Sequence, residues 1–439
     1  MWWEPTYILL ILLSTVIDFF VGRRVAAIPE KRARKPWLLL SLATNLGLLF
    51  TFKYFNFFND QVASLYSMMG LEYTISELSV LLPVGISFYT FQTLSYTIDL
   101  YKGQIEPEKH FGKFALFVAF FPQLVAGPIE RAKSLLPQFH KDHDFDYNRF
   151  VSGLKLMVWG LFKKVVIADR LAVFVDVVYN TPTEHSSATL VLATYFFAFQ
   201  IYCDFSGYSD IAIGAARVMG YDLMLNFSRP YFARNVSDFW KRWHISLSTW
   251  FRDYVYIPLG GNRVSVPKWY INLIITFLVS GLWHGANWTF VAWGALHGGY
   301  LVLAILKDKV LTDSGLQNWL TRNPKFDWFL DIFITFNLSV FAWIFFRANS
   351  IGDAFYVIGT LPSFNPFDIY LGTSSTFGYA MIGLCILLLV ELRQEFYKIM
   401  TPYIETRGAI LRYSSYAFYI LLILTIGVFD GGQFIYFQF

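Results

Sequence analysis

The sequence predicts an all-α protein that crosses a membrane many times, with about ten transmembrane helices, a re-entrant element and an interfacial amphipathic helix. Three observations predict it. Of 439 residues, 56% are hydrophobic and 15% charged, with a mean hydropathy of +0.45, whereas a soluble domain carries about a quarter charged residues. Apolar runs near the ~20 residues that a span requires recur along the chain. The loops between those runs divide by the sign of their charge, as membrane topology requires. The 46 Phe, 27 Tyr and 14 Trp suit a chain with two membrane interfaces, where amphipathic rings settle. A net charge of +4 is too small to argue for nucleic acid, so the lipid bilayer is the partner that composition names.

The first apolar run, residues 5–21, reads as a span with its N-terminus outside and not as a cleavable leader. Glu4 stands where a leader has a basic region. The loop that follows is crowded with Arg23, Arg24, Lys31, Arg32, Arg34 and Lys35, which places it in the cytoplasm. After the second run, 37–55, comes a loop with Asp60, Glu72 and Glu77 and no basic residue, so it lies outside. Further runs fall at 79–100, 150–179, 188–205, 270–284, 288–306, 328–346, 377–391 and 413–429. Residues 181–187 and 361–376 lack basic side chains, while Arg393, Lys398, Arg407 and Arg412 mark a cytoplasmic return. Both termini then lie outside. The run 111–128 does not alternate, having Lys109, Lys113, Arg131 and Lys133 around it and Pro122, Gly127 and Pro128 within it. It reads as re-entrant, since Pro and Gly break a helix and broken backbone survives at membrane depth only beside protein or water. No internal repeat and no linker to a soluble domain is evident, so residues 1–439 read as one membrane domain.

Two cysteines, Cys203 and Cys385, sit in apolar runs and make no disulfide framework or metal pair. The tract His140-Lys-Asp-His-Asp-Phe-Asp146 reads as a solvated loop, and no metal is expected. Asp204, Ser206, Tyr208, Ser209 and Asp210 form a denser polar group after an aromatic span. They line a cavity or ion path, or merely end a helix. No phosphate-cradling glycine motif is present.

The stretch 227–301 carries the most chemistry. Residues 238–254 read as one amphipathic helix with Trp240, Trp243, Leu247, Trp250, Phe251 and Tyr254 on one face and Lys241, Arg242 and Arg252 away from it. Such a helix lies in the interface with its aromatic face inward. His244 falls at the edge of that face, and two readings stay open for it: a packing residue or a direct role in catalysis. The basic residues either anchor anionic lipid or attract a phosphate-bearing donor. His284 lies at the end of a long apolar run, among Trp283, Gly285, Asn287 and Trp288. An ionisable side chain at such depth marks a functional site by default, and a neutral imidazole has the lone pair that a base needs near pH 7. The competing reading is an interhelical hydrogen bond. His297, within Gly294-Ala-Leu-His-Gly298, reads as a packing residue.

Several motifs occur in one order: Phe121-Pro-Gln-Leu-Val-Ala-Gly-Pro128, Cys203-Asp-Phe-Ser-Gly-Tyr-Ser-Asp210, Asp238-Phe-Trp-Lys-Arg-Trp-His-Ile-Ser-Leu-Ser248, Asp253-Tyr-Val-Tyr-Ile-Pro-Leu-Gly-Gly-Asn-Arg263, Gly281-Leu-Trp-His-Gly-Ala-Asn-Trp288, Trp343-Ile-Phe-Phe-Arg-Ala348 and the terminal Phe434-Ile-Tyr-Phe-Gln-Phe439. Together they resemble the membrane-bound O-acyltransferases, within the branch typified by the alginate O-acetyltransferase membrane subunit. The resemblance implies helices arranged around a central acyl-transfer cavity in a bacterial cytoplasmic membrane. It implies catalytic roles for His284, as base, and His244. Trp240, Arg242, Trp243, Arg252, Asn287 and Asp204 are the expected donor- or substrate-binding residues, with Asn287 or an indole N–H set to stabilise an oxyanion. No bound cofactor is expected. Acetyl-CoA or another acyl thioester is the expected donor, with an extracellular or periplasmic acetyltransferase as partner protein and a polysaccharide such as alginate as acceptor. Alternatives are D-alanyl or other acyl transfer to teichoic acid or peptidoglycan, and, in a different class, a transporter or channel.

Overall fold

The computed structural model describes residues 5–124, 127–313, 324–405, 408–429 and 434. Glu4, Val125, Ala126, Arg407 and the terminal residues after Phe434 lie outside that set. Every regular element among the described residues is helical. Eight helices there are long and apolar enough to cross a membrane, among them the 38-residue Lys31–Met68 and the 32-residue Ser187–Val218. The chain is a multi-pass membrane protein.

Two expected spans take a different form. The run 79–100 forms a helix only over Ile86–Lys102, 17 residues, because Pro83 and a left-handed Gly85 at φ 77° stop it earlier. The run 150–179 is helical over Tyr147–Leu161 and Asp169–Asn180, joined by a wide π-type turn over Phe162–Ala168. That turn places Lys163 and Lys164 inside the protein, where the charges are paired as described below.

The chain divides into two compact units, one of residues 1–150 and 216–224, the other of 151–215 and 225–439. The first unit contains α1 (Ile8–Ala27), α2 (Lys31–Leu49), α3 (Phe55–Met68), α4 (Ile86–Lys102) and α5 (Phe111–Ala119). Helices α1, α2 and α4 close around Asp18, which is fully buried. Its carboxylate accepts from Ser41 Oγ at 2.5 Å, Asn45 Nδ2 at 2.8 Å and Thr97 Oγ1 at 3.3 Å. Without those donors a buried carboxylate costs several kcal/mol; with them it ties three helices together. Helix α5 has nine residues, about 14 Å at 1.5 Å each, and does not cross. Its Phe117 carbonyl accepts from Gln92 Nε2 at 2.5 Å and Gln123 Nε2 at 2.9 Å, so the backbone freed at this break is satisfied by buried amides. The tract from His140 is tied down: His140 Nε2 meets Glu108 Oε2 at 2.7 Å and its Nδ1 meets Lys113 Nζ at 2.8 Å.

Glu130 gives the first unit a pH response. Its carboxylate is 1% exposed and accepts the Met224 backbone N–H, and burial pushes its pKa up to about 7 despite that bond and the adjacent Arg131. An unfolded carboxyl ionises near 4.3. The folded state therefore loses stability as pH rises from that value toward 7, then levels off. Glu130→Gln keeps an acceptor for the Met224 N–H and removes the titration. In detergent, the variant should gain Tm over the parent at pH 8 and show no gain at pH 4; parallel pH profiles would refute this account.

The second unit holds most of α6 (Tyr147–Leu161), α7 (Asp169–Asn180), most of α8 (Ser187–Val218), α9 (Val236–Arg242), α10 (Ile245–Phe251), α11 (Val266–His284), α12 (Trp288–Asp313), α13 (Pro324–Arg347), α14 (Ile351–Thr360), α15 (Ser374–Tyr397) and α16 (Ala409–Ile426). Its tightest crossing is the α11/α12 hairpin. A Cβ at Gly281 would strike the Phe290 carbonyl, and one at Gly294 would strike that of Phe277. Small residues let two spanning backbones approach this closely.

Candidate active site

Residues 238–254 do not form the single amphipathic helix that their spacing predicts. The chain leaves α9 at Arg242, places His244 in the left-handed region at φ 42° and ψ 55°, and restarts as α10 at Ile245. A non-glycine residue there is strained, and such strain persists only where surrounding contacts impose it. Residues 226–228 impose it: the Ser228 N–H donates to the Arg242 carbonyl and the Ile245 N–H to the Asn226 carbonyl, both at 2.9 Å. His244 is 0% exposed and so lies inside the protein, not at the edge of an interfacial face.

Asn226, which sequence reading did not single out, orients His244. Its Oδ1 accepts from Ser246 Oγ at 2.9 Å and from the Ser246 N–H at 3.3 Å, and lies 3.2 Å from His244 Nδ1. Its Nδ2 donates to Ser209 Oγ at 3.1 Å. A backbone N–H can only donate, which identifies the shared atom as oxygen, and an oxygen acceptor requires that His244 Nδ1 carry the proton. The lone pair of His244 then resides on Nε2. Burial lowers its pKa to about 3, so the ring is neutral at physiological pH.

His284 ends α11 and is 3% exposed. The rings of Trp283, Trp293 and Phe346 surround it, with centroids 5.0, 5.0 and 5.2 Å away. The fold brings the two histidines one indole apart: Trp283 lies 5.0 Å from His284 and 6.3 Å from His244, centroid to centroid. On the other side Trp293 connects His284 to Trp240, 5.7 Å away, and to His297, 4.9 Å away.

A groove of about 320 Å³ leads toward this cluster. Lys241 and Arg252 stand among its lining residues together with Trp240, Leu247, Phe251 and Tyr256, and its wall on α11 runs from Leu273 through Phe277 to Ser280. Ser280 is one turn before His284 on the same helix face, and helical side chains lean toward the helix N-terminus. The His284 imidazole thus leans toward the end of the groove. Such a lining, largely apolar with Lys241 and Arg252 beside it, suits an apolar ligand with an anionic end.

The other expected site residues divide. Trp240 and Arg252 line the groove, although Arg252 Nε also bonds Asp253 Oδ1 at 2.8 Å. Trp243 is 1% exposed and packs on Phe227 and Trp343 at 5.1 and 5.0 Å, behind the groove. Arg242 is bound to Asp238 at 3.1 Å and Glu395 at 3.3 Å, and Arg229 meets the same Glu395 at 2.7 Å. Asn287 opens α12, its Oδ1 accepting the Thr289 N–H at 3.0 Å and its Nδ2 donating to the Asn349 carbonyl at 3.4 Å. Asp204 is buried against Lys164 Nζ at 2.6 Å, with Asp169 on the same ammonium at 2.7 Å, while Lys163 meets Asp210 at 2.8 Å. These carboxylates face lysines from the π-type turn, partners that no local pattern pairs with them. The described part of the terminal motif, Phe434, meets Phe205 edge-to-face at 5.6 Å, and Phe205 meets His244 at 4.5 Å.

Residues 108–346 match the sequence model of MBOAT, the membrane-bound O-acyltransferase family. The chain belongs to that family. This acyltransferase is 41% identical over 372 residues to the probable alginate O-acetylase AlgI of Pseudomonas aeruginosa, covering 84% of this chain and 68% of that one. It is 37% identical over 389 residues to the peptidoglycan O-acetyltransferase of Helicobacter pylori, covering 83% and 71%. The teichoic acid D-alanyltransferase of Streptococcus thermophilus is 30% identical over 290 residues, covering 60% of this chain and 68% of that one. The chain is therefore an O-acyltransferase, and the polar Asp204–Asp210 group is a paired-charge element within it.

Proposed function

We propose that this acyltransferase takes acetyl from a cytoplasmic thioester, acetyl-CoA, and passes it across the cytoplasmic membrane for O-acetylation of an extracellular or periplasmic polysaccharide. The observation that carries this reading is the groove beside Lys241 and Arg252 that ends one helical turn from His284. Its basic surroundings belong to the cytoplasmic side by the charge of the loops. His284, some 27 Å along α11 from Val266, stands where a donor from inside meets an acceptor from outside. Names of the relatives supply the acceptor class: alginate and peptidoglycan are acetylated polymers, and the acetyl-transferring relatives match more of this chain than the D-alanyl-transferring one. A partner protein outside the membrane completes delivery to the polymer.

In the chemical step, His284 takes the proton of an acceptor hydroxyl as its oxygen attacks the thioester carbonyl carbon. The C–S bond then breaks, the departing thiolate takes the proton from the imidazolium, and the products are an O-acetyl ester and a free thiol. His244, with its lone pair on Nε2, orders the aromatic cluster beside the donor and assists the proton's movement. The reading is tested in sealed inside-out membrane vesicles holding the polymer in the lumen. Acetyl-labelled CoA added outside, at the cytoplasmic face, should label luminal polymer only when this acyltransferase is present. Labelling that needs the thioester on the luminal face, or none from any thioester, would overturn it.

A further inference from the structure

We propose that His297 is a third functional imidazole, binding the amide-bearing arm of the thioester donor together with the indole N–H groups of Trp240 and Trp293. Within the described residues, both ring nitrogens of His297 and the Nε1 atoms of Trp240 and Trp293 are buried without a hydrogen-bond partner. His297 is 1% exposed and Trp293 0% exposed. Buried polar groups in folded proteins are bonded almost without exception, so each orphan requires a reason. Here three orphaned side chains touch one another: Trp240 and Trp293 lie 5.0 and 4.9 Å from the His297 ring, at 80° and 65° to it.

Packing alone does not require an imidazole at this position. The His297 ring lies flat between Phe239, at 6.1 Å and 7°, and Phe277, at 6.2 Å and 25°. A phenyl ring would stack there equally well and bury no polar atom. The chemistry of the orphans specifies the missing group. Two indoles donate only, and a neutral imidazole donates once and accepts once. Their complement offers oxygen acceptors and an N–H, which is the pattern of an amide. Trp240 and Phe277 are shared with the groove that approaches His284, so the ligand is the chain occupying that groove. A coenzyme A thioester carries its amides between an anionic end and the sulfur, which sets the anionic end near Lys241 and Arg252 and the amides at His297. This inference rests on the acyl-thioester reading above.

The test compares two donors on the full-length protein: acetyl-CoA, and S-acetyl-2-mercaptoethanol, a thioester with no amide and no phosphate. Thioester cleavage is followed through the released thiol. His297→Phe should raise KM for acetyl-CoA about tenfold, the loss expected from removing such hydrogen bonds, with kcat little changed and cleavage of the truncated donor unaffected. His297→Gln, which restores a donor and an acceptor, should recover most of the loss. Parental KM in His297→Phe, equal losses with both donors, or failure of both variants to accumulate folded would each overturn the proposal in favour of a packing role. Two controls separate the readings: if the parent protein cleaves no acetyl-CoA at all, the acetyl-CoA reading itself fails, whereas a parent active on acetyl-CoA beside a normal His297→Phe sinks this inference alone.

Discussion

Replacing His284 by Gln should reduce acetyl transfer about a thousandfold or more while leaving the protein folded and abundant in the membrane. General-base catalysis contributes about 10²–10⁴-fold where the base is positioned on the reacting proton, and the cage of Trp283, Trp293 and Phe346 holds this imidazole in place. Gln keeps a hydrogen-bonding group of similar reach and lacks the basic lone pair. The loss should therefore fall on kcat, with KM for the thioester near its parental value, because the groove walls from Leu273 to Ser280 are untouched. Single-turnover thioester cleavage, beside Tm and membrane abundance, measures both halves of the expectation. Activity within tenfold of the parent would remove His284 from the mechanism, and collapse of abundance would make it a structural residue.

The second large effect concerns the backbone crossing that aims the site. Gly294→Val should destabilise the protein by about 3 kcal/mol or more, the upper range for overpacking a close interface. The added side chain meets the Phe277 carbonyl and, at 3.4 Å, the Gly281 Cα; neither is a flexible group that can move aside. Forcing α11 from α12 also separates His284 from Trp293, so any folded fraction should show a depressed kcat. Gly299→Ala, on the same helix with nothing within 4 Å of the added atom, is the matched control and should be neutral. Thermal unfolding in detergent, with size-exclusion profiles, tests the pair. Equal behaviour of the two variants would mean the crossing is looser than described.

Much of the site was legible because its signals are local. The Gly-Leu-Trp-His-Gly sequence around His284 ends an apolar run of helical length, and a basic stretch precedes it. His297 reads as packing for an equally local reason: a histidine among glycines gives no hint that its ring nitrogens lie buried without partners. Asn226 carried no signal, since a lone amide in a loop is ordinary; its role exists only because residues 226–228 pair with 242–245. The lysines at 163 and 164 are hidden inside what reads as an apolar span, and two of their carboxylate partners, Asp204 and Asp210, lie on another helix.

By itself the sequence determined that the chain is an all-helical, multi-pass membrane protein, the family, and two histidines worth testing. Those properties follow from composition and spacing, which act over a few helical turns. Only the tertiary structure decided that residues 238–254 break at His244, that one indole separates His244 from His284, that Asp204 and Asp210 are paired with lysines, and that a groove reaches Ser280, one helical turn before His284. Each of these depends on groups tens of residues apart meeting at a few ångströms, and helical periodicity carries no information about such meetings.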